Sequence, residues 1–400
     1  MELARSLQIS KNSIMRYSLL FLYIARKTKL YYKLAVNYLS FWITYTLKEK
    51  SIEGANSKTI IFDFKSVFSE RSYTQLICFF AQNGYSIFLK NNPLFIANLV
   101  QFGKKVAGIK TLHVKHINND TEALYFYDHD QKPVFKYRKR VKINHNLLSK
   151  EALINKDKVI PYPVYPDFYF SDELNQISSL RRSEKLIRIF FSGNQNPKDY
   201  DRKTFRSYFN KLNRVEILKT LQSALDTHEI EIVESLNKID KTAFVNKFIL
   251  CRWSRESLKE KVINGRVLDN NWFNFLSRTQ FFLACPGIVQ PLCHNVIESM
   301  SIGVIPILEH PEMFYPNLEH NVNCIVFKGK QDLVEKIRLV LNLDMEMVGA
   351  LSQNVMDYYD NHLSPKAFCN KVELLSEYDT TFFINTDGYF SKKLSEVNNE

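Results

Sequence analysis

Residues 281–327 read FFLACPGIVQPLCHNVIESMSIGVIPILEHPEMFYPNLEHNVNCIVF, and their reading decides the fold. Phe281–Ala284 is an unbroken apolar run of the kind found in strands covered on both faces, and Cys285-Pro286-Gly287 ends it with residues that break regular structure. Pro291 fits the first turn of a helix and Gly303 the position just past its end, so a helix is expected between them. Val304–Leu308 supplies a second buried strand, completing a βαβ unit. Within the helix His294 and Glu298 stand four residues apart on one face, while Val296, Ile297 and Met300 turn to the core. Free N–H groups at a helix N-terminus attract phosphate, and a carboxylate further in accepts hydrogen bonds from a sugar diol. A nucleotide sugar carries both groups.

The pattern Pro286-Gly287-x-x-x-Pro291-x-x-His294-Asn295-x-x-Glu298-x-x-x-x-Gly303-x-x-Pro306-Ile307 resembles the donor-binding segment of glycosyltransferases of the GT-B fold. The lead-in WFNFLSRTQF, residues 272–281, is similar to that of exostosin-like members. The resemblance covers about residues 187–340. It implies an α/β chain of two Rossmann-like domains facing across a cleft, and a glycosyltransferase acting in cell-surface polysaccharide synthesis. Its sugar would pass from a nucleotide-sugar donor to a glycan or lipid-linked acceptor. It places Glu298 on the donor's ribose or sugar, with Gly287, Gln290, His294 and Asn295 around it. Gln290 stands where many retaining members carry a second glutamate, so a retaining outcome is not implied. That replacement also motivates a rival reading, a catalytically silent membrane-associated scaffold of glycan assembly, and a nucleotide-sugar epimerase on the same fold is a further alternative.

Upstream, Ile187–Phe191 reads as a buried strand ending in Ser192-Gly193-Asn194, where a glycine lets backbone N–H groups approach a diphosphate. The family's basic residue on the next helix corresponds best to Arg214, with Arg202 as competitor. A guanidinium there neutralises the departing diphosphate, so no metal and no cofactor is expected, the nucleotide sugar being a co-substrate.

A chain of 400 residues exceeds what one core usually serves. The expected division is an N-terminal helical segment at 1–52, an acceptor domain at 53–165, a donor domain at 166–375 and a tail at 376–400 that crosses back. A net charge of +12 calls for an anionic partner. No RNP aromatics, zinc spacing or helix-turn-helix signal points to nucleic acid. Cys78, Cys251, Cys285, Cys293, Cys324 and Cys369 are scattered and lie mostly in apolar runs, as buried thiols of a reducing compartment do. A cytoplasmic location is therefore expected.

No secretory signal is evident, and neither Leu19–Ile24 nor Leu34–Leu47 reaches the roughly 20 apolar residues that span a bilayer. Residues 12–50 instead interleave aromatics with Arg16, Arg26, Lys27, Lys29, Lys33, Lys48 and Lys50, the composition of helices that lie on anionic lipid. Phe21, Leu22, Tyr31, Tyr32, Phe41 and Trp42 are the side chains expected to enter the interface, making the protein peripheral at the inner membrane face. The alternative is a helical hairpin packed on its own domain.

Strands are expected at 59–64, 85–90 and 111–114 and helices at 73–82 and 93–102, an order that implies a mostly parallel sheet. Ala123–Tyr127 and Pro133–Tyr137 read as a hairpin around Asp128-His129-Asp130. That triplet has the form of a metal-binding Asp-x-Asp, but its residues also suit a turn, which is the reading adopted. The general base is expected in the first domain. Asp63 ends the first strand, and His113 and His116 flank the end of the third, where open α/β sheets bind ligands.

Overall fold

The computed structural model describes residues 27–48, 58–66, 70–114, 120–131, 133, 135–147, 152, 155–201, 203–233, 244–251, 272–387 and 390. Its first sheet contains β1 (Thr59–Asp63), β2 (Ser86–Leu89), β3 (Leu112–Val114), β4 (Asp120–Tyr127) and β5 (Tyr137–Asn144). The second contains β6 (Ile187–Ser192), β7 (Ile230–Val233), β8 (Phe244–Cys251), β9 (Thr279–Leu283), β10 (Ile305–Leu308) and β11 (Ile325–Val326). The last strand, β12 (Asp379–Phe383), returns to the first sheet and pairs with β5. The orders are β12-β5-β4-β1-β2-β3 and β11-β10-β9-β6-β8-β7, and every pairing is parallel. These are two Rossmann-like α/β units, the layout of the GT-B class that the sequence implied.

Both sheets reverse their winding beside their first strand. In the first sheet β2 and β3 lie on one side of β1 and β4 on the other; in the second, β8 and β7 lie on one side of β6 and β9 on the other. Such a switch point opens a crevice outside the strand ends, so the first crevice lies beyond Asp63 and Tyr127 and the second beyond Ser192 and Leu283. The central strands β6, β9 and β10 are buried along their whole length, as a sheet covered on both faces demands.

The linker between the two sheets, which includes residues 155–170, is part of the core. Phe168 packs on Phe273 with ring centroids 4.8 Å apart, and Tyr169 on Phe79 at 5.8 Å, so aromatic rings of both units meet there. Fully burying a side chain of this size contributes about 2–3 kcal/mol. The chain crosses back to the first unit before β12. The Pro365–Leu374 helix already packs on Glu70–Gln82, where Cys369 Sγ donates to the Phe79 carbonyl at 3.5 Å and Phe368 lies 5.9 Å from Phe79. Arg138 of β5 grips Glu373 through two hydrogen bonds, Nη1–Oε2 at 2.6 Å and Nη2–Oε1 at 3.0 Å.

Three sequence expectations are corrected. β4 and β5 run parallel, not as a hairpin, and β5 starts at Tyr137, where the expected second strand ends. Alternation and a polar connector are local signals that fit either arrangement; the choice is made by β1 and β12, which sandwich the pair from 60 or more residues away in sequence. The expected 93–102 helix is broken into Pro93–Asn98, a 3₁₀ turn at Val100–Phe102 and Gly103–Ala107. The helix expected from Pro291 begins at His294, because residues 287–292 fold back on themselves: a Cβ on Gly287 would lie 2.9 Å from the Leu292 carbonyl oxygen. Gly303, at φ +74°, closes that helix as expected, a conformation that glycine adopts at little cost.

The helix at 27–47 packs on the first unit. Phe41 is fully buried, Asn37 Nδ2 donates to Ala97 O at 3.2 Å, and Lys48 Nζ donates to Ile109 O at 2.7 Å. Phe41 thus belongs to the protein's interior and half-buried Trp42 packs against the core, whereas Tyr31 and Tyr32 are exposed. Phe21 and Leu22 lie outside the described residues. No described helix is long and apolar enough to cross a membrane.

Candidate functional site

Arg214 is the centre of the second crevice. Asn213 caps the Arg214–Ala224 helix through a capping box with Glu216, which fixes Arg214 in the first turn. Its guanidinium is buried, 4% exposed, and its partners come from both sides of the switch point. Nη1 donates to Asn194 O at 2.9 Å after β6, Nε donates to Pro286 O at 3.1 Å after β9, and Nη2 lies 3.8 Å from Cys293 Sγ at the helix N-cap. The rings of Tyr200 and Phe191 lie 4.0 and 5.8 Å from it. Gly193 makes this approach possible, since a Cβ there would stand 3.3 Å from Arg214 Nη1 and 3.2 Å from the Phe191 ring.

Among the described residues no carboxylate pairs with Arg214; its contacts are two carbonyls, a thiol and aromatic faces. A buried cation with no carboxylate partner is costly, and a guanidinium has five N–H groups, more than these partners use. The arrangement suits an anion with several oxygens.

Cys293 and His294 add to this electrostatic centre. Burial raises the Cys293 thiol, but the charge and hydrogen bond of His294 and the charge of Arg214 outweigh it, bringing the group down to about 6. Burial lowers His294, but the charges of Cys293 and Glu298 raise it above its ordinary value. Asn295 Nδ2 donates to Ser192 O at 3.3 Å, tying the helix start to the end of β6. His310, 2% exposed after β10, lines the same crevice, and its Nε2 has no hydrogen-bond partner; burial and Lys211 push it down to about 3. The site therefore gathers Gly193, Asn194, Arg214, His294 and Asn295 from the sequence reading, with Cys293 and His310 added, while Gly287 lies against the Gln290 and Leu292 carbonyls.

The Glu298 carboxylate is held by protein donors in this structure. At 1% exposure, its Oε2 accepts from Trp272 Nε1 at 2.6 Å and its Oε1 from Tyr165 N at 2.8 Å. In this structure the carboxylate ties the linker and the Trp272–Leu276 helix to the Glu298 helix. Gln290 faces the other way, towards the return segment, donating from Nε2 to Asp387 Oδ1 at 2.5 Å.

On the first sheet, Asp63 does sit at the switch point, but Lys90 Nζ at 2.8 Å, Tyr125 OH at 2.5 Å and His129 Nε2 at 3.3 Å surround one of its oxygens. Burial raises its pKa, yet the hydrogen bonds from Lys90 and Tyr125 and the charges of Lys90 and His129 hold it below the usual value. An anion so stabilised is a weak base. His113 is not at the crevice: it stacks on Phe88 at 5.0 Å on β3, the sheet's edge strand, two strands from β1. His116 and Arg202 lie outside the described residues.

Asp128 and Asp130 do not act together. Asp128 accepts from Lys65 N at 2.7 Å, Ser66 N at 2.8 Å and Tyr73 OH at 2.5 Å, holding the segment after β1, while Asp130 reaches Lys142 Nζ at 2.7 Å from an exposed position. Among the described residues no cluster suited to a metal ion occurs. Tyr73 OH also meets His145 Nε2 at 2.9 Å, so an Asp128–Tyr73–His145 chain spans the ends of β4 and β5. The sequence reading missed it because its members are far apart in the chain.

No family model matches the chain, and no curated sequence does. Among solved structures it is similar to HepE of Anabaena in complex with UDP, at 10% identity and TM-score 0.39, covering 79% of this chain and 100% of that one. It is also similar to AviGT4, a glycosyltransferase of avilamycin A biosynthesis, at 12% and 0.38, covering 85% and 98%. A third likeness, to TarM of S. aureus, has 12% identity and TM-score 0.33 and covers 64% of this chain and 55% of TarM, so the chain spans just over half of that relative's length. At such scores and identities these likenesses add nothing to the strand orders given above, on which the fold class rests.

Proposed function

We propose that the chain is a glycosyltransferase that moves a sugar from a nucleotide-sugar donor to a glycan or lipid-linked acceptor. One observation carries this reading: Arg214, a buried cation without a carboxylate partner, stands at the switch point of the second sheet beside a glycine loop and a helix N-terminus. These are the elements that hold a diphosphate, and they stabilise the charge that develops as the nucleoside diphosphate leaves. Arg214 and the helix dipole supply that positive charge, so the transfer is metal-independent on this reading. Asn194, Gly193, His294 and Asn295 shape the donor side, and Glu298 holds the linker in register with it.

The helix at 27–47 favours an anionic membrane as a second partner. Tyr32, Val36, Leu39, Ile43 and Leu47 are all exposed and recur at helical spacing on the face opposite Phe41, with Lys29 and Lys33 beside them. A lipid-linked acceptor would be reached from that surface.

The test is release of nucleoside diphosphate from a panel of UDP-, GDP- and CMP-sugars, run with membrane glycolipid fractions and with EDTA. The reading expects turnover with one donor, dependent on acceptor and insensitive to EDTA. Turnover of donor alone into an epimer would overturn it in favour of the epimerase, and activity lost to EDTA and restored by manganese would overturn the metal-independent mechanism.

A further inference from the structure

Between the first unit and the linker lies a cleft of about 230 Å³, separate from the crevice around Arg214, with which it shares no lining residue. It is lined by Glu70, Arg71 and Ser72 at the start of the Glu70–Gln82 helix, by Tyr162 of the linker, and by Asn385 and Asp387 just after β12. Asn385 is 4% exposed, and neither its amide nitrogen nor its amide oxygen has a hydrogen-bond partner. Its backbone is fixed, since Ser72 Oγ donates to Asn385 O at 3.3 Å. Beside the cleft Gln290, 1% exposed, spends Nε2 on Asp387 and leaves Oε1 without a partner. Buried amides are almost always paired, so the Asn385 amide left open at the cleft, with a second open amide oxygen beside it on Gln290, marks a place where a ligand completes the bonding.

The chemistry of the walls narrows the ligand. A carboxamide donates and accepts side by side, which matches two neighbouring hydroxyls of a sugar ring, each both donor and acceptor. Glu70 and Asp387 add acceptors for further hydroxyls, and the Tyr162 ring offers an apolar face. Two carboxylates against the single guanidinium of Arg71 make the cleft unfavourable for a phosphate or an acidic sugar. Its volume is below the roughly 300–1,000 Å³ of drug-sized sites, on the scale of one ring.

We propose that this cleft is a subsite for a neutral sugar and that Asn385, carried by the segment that returns to the first unit, reads a hydroxyl pair of that sugar. On the transferase reading above, on which the sugar's role rests, the occupant is the terminal residue of the acceptor, and the return segment selects it.

Saturation-transfer NMR on the full chain tests this with methyl glycosides of glucose, galactose, mannose and N-acetylglucosamine, with uridine and UDP as separate probes. The wild type should bind at least one glycoside. Asn385→Ala should weaken it about tenfold or more, and Asn385→Asp, which keeps the shape, should also weaken it, while both bind UDP as the wild type does. If Asn385→Ala fails to fold, Asn385→Asp decides. The proposal is overturned if no glycoside binds the wild type, if the folded variant binds the glycoside as well as the wild type, or if uridine displaces the sugar. Glycoside binding lost on substitution in a protein that binds no nucleotide would uphold the subsite and remove the transferase reading.

Discussion

Replacing Glu298 with alanine should destabilise the protein before it does anything to a ligand. The carboxylate accepts from Trp272 Nε1 at 2.6 Å and Tyr165 N at 2.8 Å in a site only 1% exposed, so its removal leaves two buried donors unpaired. Each such group costs about 1–3 kcal/mol, giving a loss of about 3 kcal/mol for the pair, or roughly 6–10 °C in Tm for a domain of this size. Glu298→Gln keeps one accepting oxygen and turns an NH₂ towards a donor, so it should lose an intermediate amount. Trp272 reports directly: its emission should shift to the red in the alanine variant as the indole N–H seeks water, measured against the Trp42→Phe, Trp253→Phe background that leaves it the sole tryptophan. An alanine variant with unchanged Tm and unchanged Trp272 emission would refute this reasoning and return the carboxylate to the role of a free donor-binding group.

Three further outcomes follow. Cys293, brought down to about 6 while Cys251 is raised to about 11 and Cys285, Cys324 and Cys369 to about 12, should be alkylated by iodoacetamide alone at neutral pH, with a rate that rises through about pH 6 and falls when UDP is added; mass spectrometry of the modified peptide checks this, and a midpoint near 9 would contradict it. Burial raises Glu373, but hydrogen bonds from Arg138 and Tyr85 and the charges of Arg138 and Lys58 bring it down to about 2, so its contribution is present above its ordinary value near 4.5 and is lost as pH falls through about 2; Glu373→Gln should therefore cost about 2 kcal/mol at pH 7 in urea unfolding, and the gap to wild type should close on acidification below 4.5. Replacing Leu39 and Ile43 with serine on the exposed face of the 27–47 helix should release the protein from anionic vesicles in co-sedimentation without altering Tm, and binding of the wild type should weaken as salt rises; equal sedimentation of both would remove the membrane from the account.

How far the sequence could be read depended on whether a signal was local. Gly303 closes its helix with positive φ because a left-handed position just past a helix end is a matter of a few adjacent residues, and the buried strands β6, β9 and β10 showed as short apolar runs for the same reason. Arg214 was placed through resemblance, and the structure adds what resemblance does not hold: that its partners are carbonyls on both sides of the switch point and that no described carboxylate neutralises it. The pairing of β4 with β5 was misread because direction is settled by distant strands. Glu298 is held by partners that the sequence does not reveal. Its place on a helix face was legible, but Trp272 and Tyr165, which occupy it, arrive from separate elements. Asn385 carried no signal at all, since a lone asparagine in a tail becomes notable only when β12 draws it against the first unit and the linker.

The central claim is that Arg214 holds a nucleoside diphosphate, and isothermal titration of UDP, GDP and CMP into the wild type, Arg214→Lys and Arg214→Met tests it most directly. The account predicts that one nucleotide binds the wild type, that affinity falls roughly 10- to 100-fold in Arg214→Met, the scale of a charge-assisted contact, and that Arg214→Lys, which keeps the charge but not the fork, lies between. A folded Arg214→Met protein that binds the nucleotide as tightly as the wild type, or a wild type that binds none of the three, would contradict it.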